Sequence, residues 1–166
     1  RLTWDLGYRD ECEKVCYDIN YKVNIAMPGY EENTGRQASY FLGRLLFESG
    51  DLEKSKLHFS KTVTYAQSTD MIKMGYTLSA YYYLGQIEEK LNNNSGAEKN
   101  YLEVIKNADD KDDKSSTYNY SLAAYHLGIL YEKLKLNDRA ESYYKKALQR
   151  VKKVDTNTYP GTVREI

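Results

Sequence analysis

Chemistry in this 166-residue chain would have to come from two histidines, two cysteines, an aspartate run, or a nucleophile set beside a base. Each is tested first. Cys12 and Cys16 are four residues apart in a helical-looking segment, so both thiols share one face, a geometry that rarely closes a disulfide. Without further cysteines or a nearby histidine they fall short of a zinc set. They read as small core residues, with a redox or metal role as the alternative. His58 and His126 lie too far apart to form a metal pair, and each reads as a satisfied or surface histidine rather than a catalytic base. The run Asp109-Asp110-Lys111-Asp112-Asp113 fails as a calcium loop. Counted from Asp109, the glycine and glutamate places hold Lys114 and Tyr120. It reads as a solvated loop closed by a cap at Ser115, Ser116 or Thr117. No glycine-rich phosphate loop follows a strand, and no nucleophile–base pair is placed by spacing. The chain therefore predicts no enzyme, no metal site and no cofactor.

The elements that would position any site come next. Apolar residues make up 41% of the chain, a globular composition. Basic and acidic side chains balance at 24 each, which argues against a nucleic-acid or anionic-membrane binder. No run approaches the roughly 18 apolar residues of a membrane span. Tyrosine is in excess, with 18 copies against three Phe and one Trp. Asn93-Asn94-Ser95 satisfies the glycosylation pattern but reads as a turn between helices.

Internal repetition organises the rest. Ala38-Ser39-Tyr40-Phe41-Leu42-Gly43, Ala80-Tyr81-Tyr82-Tyr83-Leu84-Gly85 and Ala123-Ala124-Tyr125-His126-Leu127-Gly128 recur at spacings of 42 and 43. Twelve residues past each glycine is a small residue (Ser55, Ala97, Ala140), and four further an aromatic (Phe59, Tyr101, Tyr144). Three beyond these stand Thr62, Val104 and Ala147. Leu6-Gly7, Cys12 and Cys16 repeat the second half of the pattern, so the chain opens inside a unit. Each unit reads as two antiparallel helices. A helix-interior glycine costs about 1 kcal/mol relative to alanine, so three at one phase imply close helix approach. The expected helices cover 4–24, 35–48, 52–68, 71–91, 96–107, 117–134 and 138–153. Capping boxes are expected at Thr34–Gln37, Ser95–Glu98 and Asp138–Glu141, and Asp51 is expected to cap the helix after the Gly50 turn.

These residues resemble the tetratricopeptide repeat, most clearly from Ala124 through Gly128 and Tyr131 to Ala140, Tyr144 and Ala147. The usual unit is about 34 residues, so this longer one is similar in length to the repeats of kinesin light chains. The usual closing proline is missing, and Glu88 stands where Leu46 and Tyr131 occupy the matching place. The resemblance implies an all-α fold, an α-solenoid right-handed superhelix of stacked antiparallel helix pairs over residues 1–153. Residues 1–30 form a partial unit, 34–69, 71–110 and 115–153 complete ones, and 154–166 a tail or linker.

The resemblance also implies a protein-interaction scaffold whose first helices line a concave groove. Three residues before the glycines, Tyr40, Tyr82 and Tyr125 would point into it, beside Arg44, Gln86, Lys90 and Lys133. Tyrosine offers wide, rigid contact area and a hydroxyl, which suits a peptide or partner helix. The competing reading of this ladder is inter-helix packing. A chaperone-type carboxylate clamp is disfavoured, since Arg44, Gln86 and Ile129 make no Lys/Asn set. Stacking on single-stranded nucleic acid is disfavoured as well, because glutamates offset the cations. A sensory segment of a signalling protein and a structural subunit of a large assembly are the alternative functions. The opening inside a unit predicts either upstream repeats or end-to-end self-association.

Overall fold

The computed structural model describes Lys14 and residues 31–68, 72–73, 75–108 and 114–151. The expected helix 4–24 with its cysteines, the aspartate run and the segment 154–166 lie outside the described residues. Among the described residues from 31 on, six helices follow in order: α1 Glu31–Ser49, α2 Leu52–Ser68, α3 Gly75–Lys90, α4 Asn94–Asn107, α5 Lys114–Lys133 and α6 Asn137–Val151. No strand occurs among the described residues, and none of these helices is long and apolar enough to cross a membrane. The chain divides into two compact units, Arg1–Ile72 and Lys73–Ile166.

In the first unit α1 and α2 form an antiparallel pair. The Ser55 hydroxyl donates to the Gly43 carbonyl at 2.8 Å, and Thr62 reaches the Arg36 carbonyl at 3.4 Å. A Cβ at Gly43 would press on the Phe59 ring at 2.8 Å, so the glycine is what lets the aromatic lie against α1. Leu42, Leu45, Phe59, Val63 and Ala66 are buried around this contact.

In the second unit the same pairing occurs twice, α3 with α4 and α5 with α6, and α5 also packs on both α3 and α4. A Cβ at Gly85 would collide with the Tyr101 ring, and one at Gly128 with the Tyr144 ring. Ala97, Val104, Ala140 and Ala147 are buried at their repeat positions. This is the stacking of helix pairs that the repeat implied, and it explains why one pair alone is insufficient. The second pair covers the apolar flank of the first.

Each pair turns by the same device. Seven residues past each repeat glycine, Gly50, Asn92 and Lys135 take positive φ of 84°, 58° and 59°. The next amide then reaches back to the helix, as Asp51 N does to Leu46 O at 2.9 Å and Leu136 N to Tyr131 O at 2.9 Å. These are left-handed helix stops that satisfy otherwise orphaned carbonyls.

The helix starts differ from expectation in five places, one being α3, which begins at Gly75 rather than at residue 71. Helix α1 begins at Glu31, so Thr34 lies inside it rather than at its start. The cap of α4 is Asn93, whose side chain accepts from Gly96 N at 3.2 Å, while Ser95 donates its hydroxyl to Asn93. Asn93 also donates to Glu88 at 2.7 Å, and this second bond favours it over Ser95. Helix α5 starts at Lys114, which places Ser115, Ser116 and Thr117 within its first turn. Helix α6 starts at Asn137, with Asp138 in its first turn and Ala140 N bonded to Leu136 O. Asp51 does cap α2, accepting from Lys54 N at 3.2 Å.

Candidate functional site

In the second unit α3 and α5 lie flank to flank, tied by side chains from four successive levels. At one end Ser79 and Asn119 meet at 2.9 Å. In the middle the Tyr82 hydroxyl lies 3.0 Å from His126 Nε2. Below it His126 Nδ1 is 3.1 Å from Glu89 Oε2, and at the far end Lys133 reaches Glu89 Oε1 at 3.5 Å. Two further donors complete the cluster. Gln86 Nε2 donates to Tyr82 at 2.8 Å, and the Tyr101 hydroxyl of α4 donates to Glu89 at 2.6 Å.

One assignment of protons satisfies every group. Gln86 donates to the Tyr82 oxygen, Tyr82 donates to His126 Nε2, and His126 Nδ1–H donates to Glu89. The imidazole is also flanked by three rings. It stacks on Tyr101 with centroids 5.5 Å apart and 29° between planes, and meets Tyr82 and Tyr125 edge-on at 5.4 and 5.8 Å.

The electrostatics follow from this packing. Burial alone would raise the Glu89 carboxyl. The hydrogen bonds from His126 and Tyr101, with the charge of Lys133, outweigh it and hold the group below its ordinary range. Burial first, then the bond and charge of Glu89, push the Tyr101 hydroxyl far up. The sequence hydroxyl–imidazole–carboxylate has the order of an acid–base relay. Its leading hydroxyl, however, is buried and already accepts from Gln86, so the cluster binds three helices together rather than presenting a nucleophile.

The residues singled out from the sequence are distributed as follows. Tyr82, Gln86 and Lys133 are brought together in the cluster. Tyr82 is only 9% exposed, and Tyr40 in the first unit only 7%, packed on Phe59 at 6.0 Å. Tyr125 is half-buried, on the same face of α5 as Glu132. Lys90 is exposed at the end of α3, and Arg44 pairs with Glu48 at 3.4 Å in the first unit. His126 and Glu89 carry the cluster; the sequence reading takes His126 as a satisfied or surface histidine and gives Glu89 no site role. The signal that could have found them is a repeat within the repeat, since glutamate precedes tyrosine by twelve residues in both Glu89/Tyr101 and Glu132/Tyr144.

Helix pairs locked by a glycine under an aromatic, and stacked on one another in the second unit, make a helical-repeat fold similar to that of tetratricopeptide repeats. The comparisons with known proteins agree. Residues 122–150 match the family described as tetratricopeptide repeat. Among solved structures, BtubC (BKLC) from P. vanneervenii is similar over 90% of this chain at 15% identity, with a TM-score of 0.75. MamA is similar over 90% of this chain and 81% of its own, at 20% identity and a TM-score of 0.58. The chain spans 58% of the length of BtubC. No curated protein matches the sequence. The repeat match supports a protein-interaction scaffold in general terms, and repeats of this type are generally non-catalytic; the neighbours show the fold.

Proposed function

We propose that the chain binds a peptide or partner helix along the side of its first helices that faces away from their second helices. The observation that supports this most is the flank-to-flank tie of α3 and α5 through Glu89 and His126. It holds Gln86 and Lys90 of α3 beside Ile129 and Lys133 of α5 as one preorganised surface, with Tyr125 at its margin. Preorganisation of this kind lowers the ordering cost of binding. The half-buried Gln86 is oriented by Tyr82 beneath it, so Tyr82 supports the surface from below. In the first unit Arg44 occupies the position equivalent to Gln86, and Tyr40 that of Tyr82.

The test is selection of peptides on the immobilised chain from a displayed library, followed by affinity measurement against variants. Gln86→Ala, Lys90→Glu, Lys133→Glu and Tyr125→Ala are each expected to weaken the selected peptides about five-fold or more, roughly 1 kcal/mol. Replacement of Tyr40 or Tyr82 would report on stability instead, because both are buried. Selected peptides whose affinity ignores all four changes, with helicity intact, would remove the groove from the account.

A further inference from the structure

The bonds around His126 decide which end of the Gln86 amide faces the groove. Glu89 is an ionised carboxylate and can only accept, so His126 Nδ1, 3.1 Å away, must carry a proton. In the neutral imidazole Nε2 is then an acceptor, and the Tyr82 hydroxyl 3.0 Å from it must donate. Toward Gln86 the Tyr82 oxygen can therefore only accept, which draws Nε2 of the amide inward at 2.8 Å. Gln86 is half-buried, so with Nε2 turned inward Oε1 is the end toward the groove.

A second proton on the imidazole reverses these bonds in turn. Nε2–H becomes a donor, and the Tyr82 oxygen accepts from it. The hydroxyl hydrogen of Tyr82 then needs an acceptor, and the Gln86 amide within reach supplies one by turning over. Oε1 comes to lie inward and Nε2 faces the groove. Histidine is the side chain whose charge ordinarily changes between pH 5 and 8. The groups that face this one are Tyr82 and Glu89 of α3, Tyr101 of α4 and Tyr125 of its own helix. Glu89 brings the negative charge beside the ring, and Lys133 brings a positive one across Glu89. The position is distinctive among the repeats. Arg44, its equivalent in α1, carries donors only, and Ile129 in α5 carries neither donor nor acceptor on its side chain. Of the three, Gln86 alone can present either polarity.

From this chain of bonds we infer that protonation of His126 sets the hydrogen-bonding polarity of the groove at Gln86. With the imidazole neutral, the site takes an N–H donor of the bound peptide. With the imidazolium, it takes an acceptor such as a carbonyl. As a rule of recognition this rests on the groove proposed above, while the switch itself is read without any partner.

The test is solution NMR of the intact, isotope-labelled chain from pH 8 to pH 5. Long-range proton–nitrogen spectra read the His126 tautomer and its titration, and the Gln86 side-chain amide protons are followed beside them. At pH 8 the proton of the neutral imidazole is expected on Nδ1, with Overhauser contacts from the Gln86 amide protons to the Tyr82 ring. On acidification the Gln86 signals should shift with the His126 midpoint, and those contacts should be lost. Tyr82→Phe removes the link, so the Gln86 signals should stay flat while His126 still titrates. Three results overturn the inference: an imidazole that stays neutral down to pH 5, a neutral form protonated on Nε2, or Gln86 signals that ignore the titration. Histidine-free peptides selected on the chain at pH 7.5 give the second reading. Those that Gln86→Ala weakens should lose about five-fold in affinity at pH 5.5, and Tyr82→Phe should abolish that loss. An affinity that does not change with pH overturns the rule of recognition. Failure to select any peptide would overturn the groove, whereas a silent Gln86 amide overturns the switch, so the two failures are distinct.

Discussion

The Tyr101 hydroxyl donates to the Glu89 carboxylate at 2.6 Å, from the second helix of a pair to the first, twelve residues back along the chain. The same carboxylate accepts from His126 of the following pair. One acceptor therefore serves both the inside of a helix pair and its stacking on the next. Charge-assisted bonds of this kind are stronger than neutral ones, and their loss leaves a poorly solvated group behind.

Tyr101→Phe keeps the ring beneath Gly85 and removes only the hydroxyl. A loss of about 1.5–3 kcal/mol is expected, the usual worth of a bond to a charged group. Urea unfolding measures it. Glu89→Gln combined with Tyr101→Phe should cost less than the sum of the two changes, because one takes the charge from the bond that the other removes. Strict additivity would show that the bond contributes nothing.

Gly85→Ala should destabilise the second unit although alanine is the better helix former. The helix gain is about 1 kcal/mol, whereas forcing a methyl into a packed contact costs about 1–3 kcal/mol. The Tyr101 ring against it is fully buried and cannot swing away. Gly128→Ala meets the half-buried Tyr144 instead and should cost less. Thermal melts of both variants give the order, and a more stable Gly85→Ala chain would contradict the packing account.

Stability should fall on the acid side in two stages. Burial, then the charge of Lys61, pushes the His58 imidazole down to about 4. Between about 6.5 and 4 the unfolded chain binds the proton that the folded chain refuses, so stability is complete above this window and drains as pH falls through it. Glu89, held below its ordinary range, adds stability that is present above that range and lost at still lower pH. Urea midpoints across pH 7 to 3 should show both stages. His58→Gln should flatten the upper one, and an unchanged slope there would contradict the assignment.

Much of the architecture was legible because it repeats. Gly43, Gly85 and Gly128 mark the close approach, and Phe59, Tyr101 and Tyr144 meet them as their offsets required. Helix starts were less legible. Asn93 displaced Ser95 as a cap because it bonds both the Gly96 amide and Glu88, and the second partner lies on another helix. The tyrosines three residues before the glycines share one phase, yet Tyr40 and Tyr82 are buried while Tyr125 is half-buried. Phase gives direction around a helix. Within the second unit Tyr82 is covered by the α5–α6 pair that follows it, and phase does not record that cover.

By itself the sequence determined the all-α class, the pairing of helices within each unit and the residues at their contact lines, since all of these follow from spacing along one chain. Tertiary structure decided that His126 lies between Tyr82, Tyr101 and Glu89, partners 44, 25 and 37 positions away. It also decided that Glu89 is partly buried while its repeat equivalent Glu132 is exposed. The physical reason is that hydrogen bonds between repeats depend on the register of one helix against its neighbour. Local periodicity carries no record of that register.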